Sequence, residues 1–189
     1  MLMVTTGINY SSSLLAQSGA HLKAAAEVAS GEGHFKAGAI LALDSNGDYV
    51  AWDPDASDSQ TEYPRAVALE AFNTRSDSTQ VIVGFWGAYT LSKVFVPATS
   101  TQNGDGTTAD FSVGETIVNN SVVVYADGSL KTEGTHYNVN YSTGLVSFTS
   151  GNEPANDTGN VVIYYGQELT EANMLTCQDY SLFLINIVG

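Results

Sequence analysis

The chain has one cysteine, six lysines and arginines together, and no run of apolar residues long enough to cross a bilayer. Each shortage excludes something. The lone Cys177 leaves no internal disulfide and no cysteine-rich zinc site, and reads as a small buried hydrophobe. Six cations against twenty carboxylates give a formal net charge of -14 over 189 residues. Such a surface repels the phosphates of nucleic acid and anionic lipid, so neither is expected as a partner; it also keeps a protein soluble in salt. No stretch approaches the ~18 consecutive apolar residues of a membrane helix. The opening "MLMVTTGINYSSSLLAQSGA" lacks the basic flank and apolar centre of a secretory signal, which predicts a product made in the cytosol.

Catalytic signatures are equally scarce. His21, His34 and His136 are too far apart to form a ligand pair such as H-x₃-H. Nucleophile elbows of the form G-x-S-x-G and phosphate loops of the form G-x-x-x-x-G-K-[ST] are absent. Paired glycosidase carboxylates must stand ~5–9.5 Å apart in a cleft, and twenty acidic residues supply chance pairs in abundance. The expectation is no cofactor, no metal and no enzymatic activity.

Hydrophobic residues make up 43% of the chain, enough for a real core rather than an acidic disordered tail. The stretch Asp44–Asp53, "DSNGDYVAWD", offers two readings. A calcium loop of the EF-hand type needs Gly at its sixth position and Glu at its twelfth, where Tyr49 and Asp55 stand. A hairpin needs residues that tolerate positive φ between strand formers. Asn46-Gly47, between "AGAILALD" and "YVAWD", meets that need and predicts a type I′ turn.

Along the chain, residues 1–33 carry scattered apolar residues among Ser, Thr and Gly. They read as an extended N-terminal arm, in which "LLAQSGAHLKAAAEVA" has the composition for one or two helical turns. From Phe35 to Val96, "AILALD", "DYVAWD", "RAVALEAF", "TQVIVGFWGAYT" and "SKVFV" read as short strands joined by turns, the pattern of a small barrel or sandwich. "ATSTQNGDGTTAD" reads as a linker or long loop. A second β unit follows, in which "YNVNYSTGLVSF" puts Tyr137, Val139 and Tyr141 on one face and returns through Val146 and Phe148. Asp127-Gly128 and Thr143-Gly144 mark tight turns, and Thr170 caps a short helix. The terminal "LFLINIV" needs a sheet to pair with. Because the second unit is complete by Tyr165, the first is its host. The organisation predicted is therefore an arm over 1–33, a discontinuous domain over 34–97 and 167–189, and an inserted β-sandwich over 98–166.

In alternating strands, Trp52 and Trp86 read as core or interface residues rather than a stacking platform for sugars. The acidic loop Asp53–Glu62 reads as a solvated surface rather than a cation site.

These segments, in this order, resemble the lambda-type head decoration (capsid-stabilising) proteins of tailed phages. Tyr49, Val50, Ala51, Trp52 and Asp53 match the family's "VAWD" strand. Ala66, Val67, Ala68 and Leu69 match its "GILA" strand, with Ala66 in place of Gly. Phe85, Gly87 and Tyr89 match a "G-x-F/Y" strand, and "LFLINIVG" matches the apolar C-terminal strand. The resemblance covers about Phe35–Pro97 and the tail after about Gln167. Separately, "SVVVYADGSLKTEGTHYNVNYSTGLVSFTS" with "GNVVIYYG" resembles small β-sandwich modules of phage tail and virion proteins. There His136 and Asn140 replace acidic residues, and the decoration proteins lack such an insert.

The resemblance implies a mainly β fold: a small decoration-type barrel (β-tulip) with the inserted sandwich. It implies a non-enzymatic homotrimer on the outer surface of the capsid, over three-fold positions, cementing the shell against internal DNA pressure. The major capsid protein is the implied partner, held by the arm through Leu2, Met3, Val4, Thr5, Thr6, Ile8 and Tyr10. Trp52, Leu69, Phe85, Trp86, Tyr89, Phe183 and Ile185 are assigned to the core or the trimer interface. The alternative is a virion or secreted module binding carbohydrate or a host surface through the Tyr-rich strands.

Overall fold

The computed structural model describes residues 22–57, 61–180 and 182–185. It is 47% strand and 7% helix, a mainly β protein. In chain order the strands are β1 (Leu22–Val28), β2 (His34–Phe35), β3 (Ile40–Leu43), β4 (Tyr49–Ala51), β5 (Ala66–Ala68), β6 (Phe72–Asn73), β7 (Thr79–Thr90), β8 (Val96–Gly104), β9 (Asp110–Ser112), β10 (Val123–Ala126), β11 (Ser129–Leu130), β12 (Tyr137–Asn140), β13 (Leu145–Phe148) and β14 (Asp157–Gln167). The helix α1 (Glu171–Asp179) and β15 (Leu182–Ile185) follow.

Five strands close a small barrel in the order β1-β4-β3-β5-β7, with β1 pairing back to β7. Closure removes the exposed edges that an open sheet of such short strands would present. Alternation then sorts the side chains. Ala26, Val28, Leu41, Ala66, Ala68, Val81 and Val83 gather in one cluster with Tyr49, Ala51 and Phe85; all five strands contribute, as an interior requires. Most of these residues are small because a five-stranded barrel has little room inside. The opposite faces send Ile40, Ala42, Val50 and Val67 into a second cluster, covered by Cys177 of α1 and Leu182 of β15. Among the described residues, β15 pairs in parallel with the far half of β7, Leu182 opposite Gly87 and Ile185 opposite Thr90.

Residues 96–167 build two further sheets. One has the order β11-β10-β14-β8 and the other β12-β13-β9. They share a core of Phe111, Val124, Tyr137, Val146, Phe148, Val161, Ile163 and Tyr165. At the centre of the four-stranded sheet, β10 and the second half of β14 are buried on both sides. Val123, Tyr125 and Tyr164, on its other face, join the barrel cluster beside Phe35 and Phe72. Val96 pairs with Gln167, so the two ends of this segment lie side by side at the barrel.

The contact between barrel and sheet is unusually close at two points. A Cβ on Gly33, which has φ +119°, would overlap the Tyr164 ring, and one on Gly166 would overlap the Phe95 ring. Each unit thus supplies a glycine that seats an aromatic ring of the other.

Several expectations need correction. Leu22–Val28, expected within the arm and prone to helix, is a barrel strand. Its alanines are good helix formers, but pairing with β7 from Leu22↔Trp86 to Val28↔Thr79 buries Ala26 and Val28, and tertiary context overrides propensity. Of the expected linker or long loop over 98–110, residues 98–104 belong to strand β8, paired with β14, and 105–109 form the loop to β9. "RAVALEAF" splits into β5 and β6, and "SKVFV" gives a 3₁₀ turn at Leu91–Lys93 ahead of β8. The β3–β4 hairpin forms, but not through a type I′ turn: Gly47 has φ +89° and Asn46 stays at negative φ. Gly47 N–H donates to Asp44 C=O and Asp44 N–H to Asp48 C=O, the three-residue loop with a glycine bulge. The type I′ pattern occurs instead at Asp127-Gly128, both at positive φ, between Ala126 and Ser129.

Gly166→Ala is expected to destabilise the protein by about 1–3 kcal/mol through overpacking against Phe95. In a Phe95→Ala background the same change should cost little. Denaturant unfolding of the four proteins of this double-mutant cycle checks it.

Candidate functional site

The polar and aromatic groups at the joint between barrel and four-stranded sheet form the most elaborate cluster in the described residues. The two-stranded ribbon β2–β6 places His34 opposite Asn73 and Phe35 opposite Phe72 at the mouth of the barrel. Strands β10 and β14 present Tyr125 and Tyr164 to that ribbon. Phe35 meets Tyr164 edge-on with ring centres 5.5 Å apart, and Tyr125 meets Tyr164 edge-on at 6.2 Å. The Tyr125 hydroxyl lies 2.9 Å from His34 Nδ1 and 3.4 Å from Asn73 Nδ2. The Arg75 guanidinium carbon stands 3.7 Å from the centre of the Tyr125 ring, a cation–π geometry. Half-burial, then Lys36 and Arg75, lower the proton affinity of His34 below its ordinary value.

A second, partly exposed cluster lies on the barrel wall. Tyr63 and Tyr180 stack with ring centres 4.9 Å apart, and Arg65 lies 5.0 Å from the Tyr180 ring centre. Arg65 also borders a shallow dent beside the hairpin loop Asp44–Gly47, with a volume of about 430 Å³. The stacking ties the end of α1 to the loop ahead of β5, and its chemistry is that of a surface contact.

The carboxylates with displaced titration are structural. Asp44 accepts from the amides of Asn46 and Asp48, both at 2.9 Å, and these bonds hold its proton affinity below the usual range. The Asp44 oxygens that a calcium loop would use therefore cap a turn. Asp105 does the same for Thr107 and Thr108, and its proton affinity is likewise depressed by those bonds. Burial raises the pKa of Glu32, whose carboxylate accepts the Ala51 amide at 2.7 Å and ties the loop after β1 to β4. Burial also pushes the Cys177 thiol up to about 12, leaving it protonated and inert.

Of the residues singled out in the sequence, Trp52, Leu69 and Tyr89 come together in the cluster outside the barrel. Trp52 Nε1–H donates to the Glu62 carbonyl at 2.9 Å. Gly84 makes room for the Tyr89 hydroxyl, which a Cβ there would overlap. Phe85 faces the other way, against Tyr49, with ring centres 6.1 Å apart. Trp86, Phe183 and Ile185 take their places in β7 and β15, Trp86 opposite Leu22 and Phe183 opposite Ala88. Leu2, Met3, Val4, Thr5, Thr6, Ile8 and Tyr10 lie outside the described residues. Of the tyrosines in the Tyr-rich strands "YNVNY" and "VVIYY", Tyr137, Tyr164 and Tyr165 are buried, while Tyr141 is half-buried and its hydroxyl donates to Glu133.

Sequence reasoning missed the joint residues Asn73, Arg75, Tyr125 and Tyr164, and gave His34 no role. Their side chains converge from four separate segments, and no local spacing announces them. Comparison of the chain with models of protein families, with curated proteins and with solved structures finds no match in any of the three.

Glu32→Gln is expected to stabilise the protein at neutral pH, because glutamine still accepts the Ala51 amide without burying a charge. The folded-state pKa of Glu32 is raised, so its charge costs stability above that value. The cost disappears as pH falls through it toward the unfolded value near 4.5. Urea midpoints of both proteins should therefore differ at pH ~7.5 and converge in acid.

Proposed function

We propose that this chain is a head decoration (cement) protein of a tailed phage, a non-enzymatic homotrimer bound to the major capsid protein on the outer surface of the capsid. The observation that carries the reading is the connectivity of the barrel. A small closed barrel of β1, β3, β4, β5 and β7 is rejoined by the apolar strand β15 after a 72-residue excursion, 96–167, whose ends are paired at Val96 and Gln167. This connectivity supports reading the chain as a decoration-type domain over 34–97 and 167–189 with an inserted β-sandwich over 98–166. Insertion at such a point is thermodynamically tolerable because loop-closure entropy grows slowly with length. The arm of this proposal is confined to residues 1–21, since Leu22–Val28 is a barrel strand.

The physics of cement is weak sites multiplied by symmetry. An arm with the sequence "LMVTTGINY" suits strand addition to the edge of a capsid sheet. Each backbone hydrogen bond gained is worth only ~0.5–1.5 kcal/mol net. Three arms on one trimer raise the overall affinity ~10²–10⁴-fold above a single arm. The displaced carboxylates described above are committed to turns and strand ties, which also suits a structural part. The alternative of a carbohydrate or host-surface module has less support, because three of the four rings in its Tyr-rich strands, Tyr137, Tyr164 and Tyr165, are buried.

Light scattering of the purified protein should give three times the 19.9 kDa chain mass. Added to undecorated heads, the intact protein should bind and raise their resistance to heat or chelation. Removal of residues 1–10 should leave the trimer folded and abolish binding. Decoration by the truncated protein at wild-type level refutes the arm, and a monomeric mass refutes the trimer.

A further inference from the structure

The hydrogen bonds at the joint have one self-consistent direction. The Arg75 amide donates to Asn73 Oδ1 at 3.3 Å, which turns Asn73 Nδ2 toward Tyr125. Nδ2 has only hydrogens to offer, so the Tyr125 oxygen accepts from it. With the neutral ring protonated on Nε2, the phenolic proton points to His34 Nδ1, 2.9 Å away. In this tautomer every hydrogen of the relay has an acceptor, and His34 is the acceptor at its end.

The surroundings favour that state. The charges that act on His34 come from Lys36, two residues along its own segment, and Arg75, just beyond β6, and both are positive. Tyr125 faces the imidazole from β10, with ring centres 5.9 Å apart. Tyr164 of β14 stands edge-on behind Tyr125 and is seated on Gly33, the residue before His34. The backbone there is tied by Thr74 N–H to Gly33 C=O and Gly31 N–H to Thr74 C=O.

We propose that this relay is an acid-released latch: protonation of His34 reverses its bond to Tyr125, adds a third positive charge to the cluster, and loosens the seat of the four-stranded sheet on the mouth of the barrel. When Nδ1 carries a proton, it and Asn73 both donate to one phenolic oxygen, and the phenol's hydrogen loses its acceptor. The sign follows from linkage. Folding disfavours the protonated ring, so the unfolded chain binds the extra proton first. The joint has its full strength above the unfolded pKa of ~6.5 and loses it as pH falls from there through the lower folded value. The inference rests on the joint's geometry and is independent of the particle to which the chain binds.

The test uses the full-length protein, titrated from about pH 7.5 to about pH 5 and followed by NMR. At the upper end the His34 ring should carry its proton on Nε2. Across the range, exchange of the Gly31 and Thr74 amides should quicken about tenfold beyond the change in intrinsic rate. His34→Asn keeps an acceptor near the Nδ1 position and does not titrate, so its joint amides should stay protected throughout. Tyr125→Phe should show fast exchange at both ends of the range and little dependence on pH. An Nδ1–H tautomer at pH ~7.5 overturns the proposal. So does wild-type exchange without an acid step, or the same acid step in His34→Asn.

Discussion

At the mouth of the barrel, the main chain of Gly33 lies under the ring of Tyr164, and that of Gly166 lies against the ring of Phe95. The rest of the architecture depends on this reciprocal seating. A five-stranded barrel of mostly Ala and Val side chains cannot fill its own opening, and the aromatic group Phe35, Phe72, Phe95 and Tyr164 closes it. Tyr164 belongs to the four-stranded sheet, so that sheet completes the barrel's core as well as its own. Buried apolar area is what such small units lack, and sharing it stabilises both.

The same contact explains why the central strands β10 and β14 of the four-stranded sheet are apolar on both faces. Along β14, Val161, Ile163 and Tyr165 point to the three-stranded sheet, while Val162 and Tyr164 point to the barrel. Alternation normally marks a strand with one wet face; here it separates two dry ones. Its edge strand β8 reaches past the barrel, and there the outward residues Thr99, Thr101 and Asn103 are exposed and polar. Burial thus tracks what lies opposite each strand.

Local features were legible in the sequence because their causes are local. Asp127-Gly128 specifies a tight turn, "YNVNYSTGLVSF" specifies β12 and β13 by period, and Thr170 caps α1 by accepting the Asn173 amide. What failed was decided at long range. "LKAAAEV" has the composition of a helix and becomes a strand because β7, more than fifty residues on, offers it a partner. "VPATSTQNG" has no apolar alternation to announce a strand, since a polar edge needs none. The joint was invisible because His34, Arg75, Tyr125 and Tyr164 meet only after the sheets have packed. The proposed function draws on both levels: the order of local motifs, and the return of β15 to a barrel the chain had left.

The central physical claim is that barrel and sheets form one rigid body through the glycine seats. Residual dipolar couplings measured near neutral pH test it most directly, with residues 22–95 and 169–185 fitted separately from residues 96–167. A single alignment tensor for both sets is the predicted result. Two tensors differing in magnitude or orientation would contradict the account.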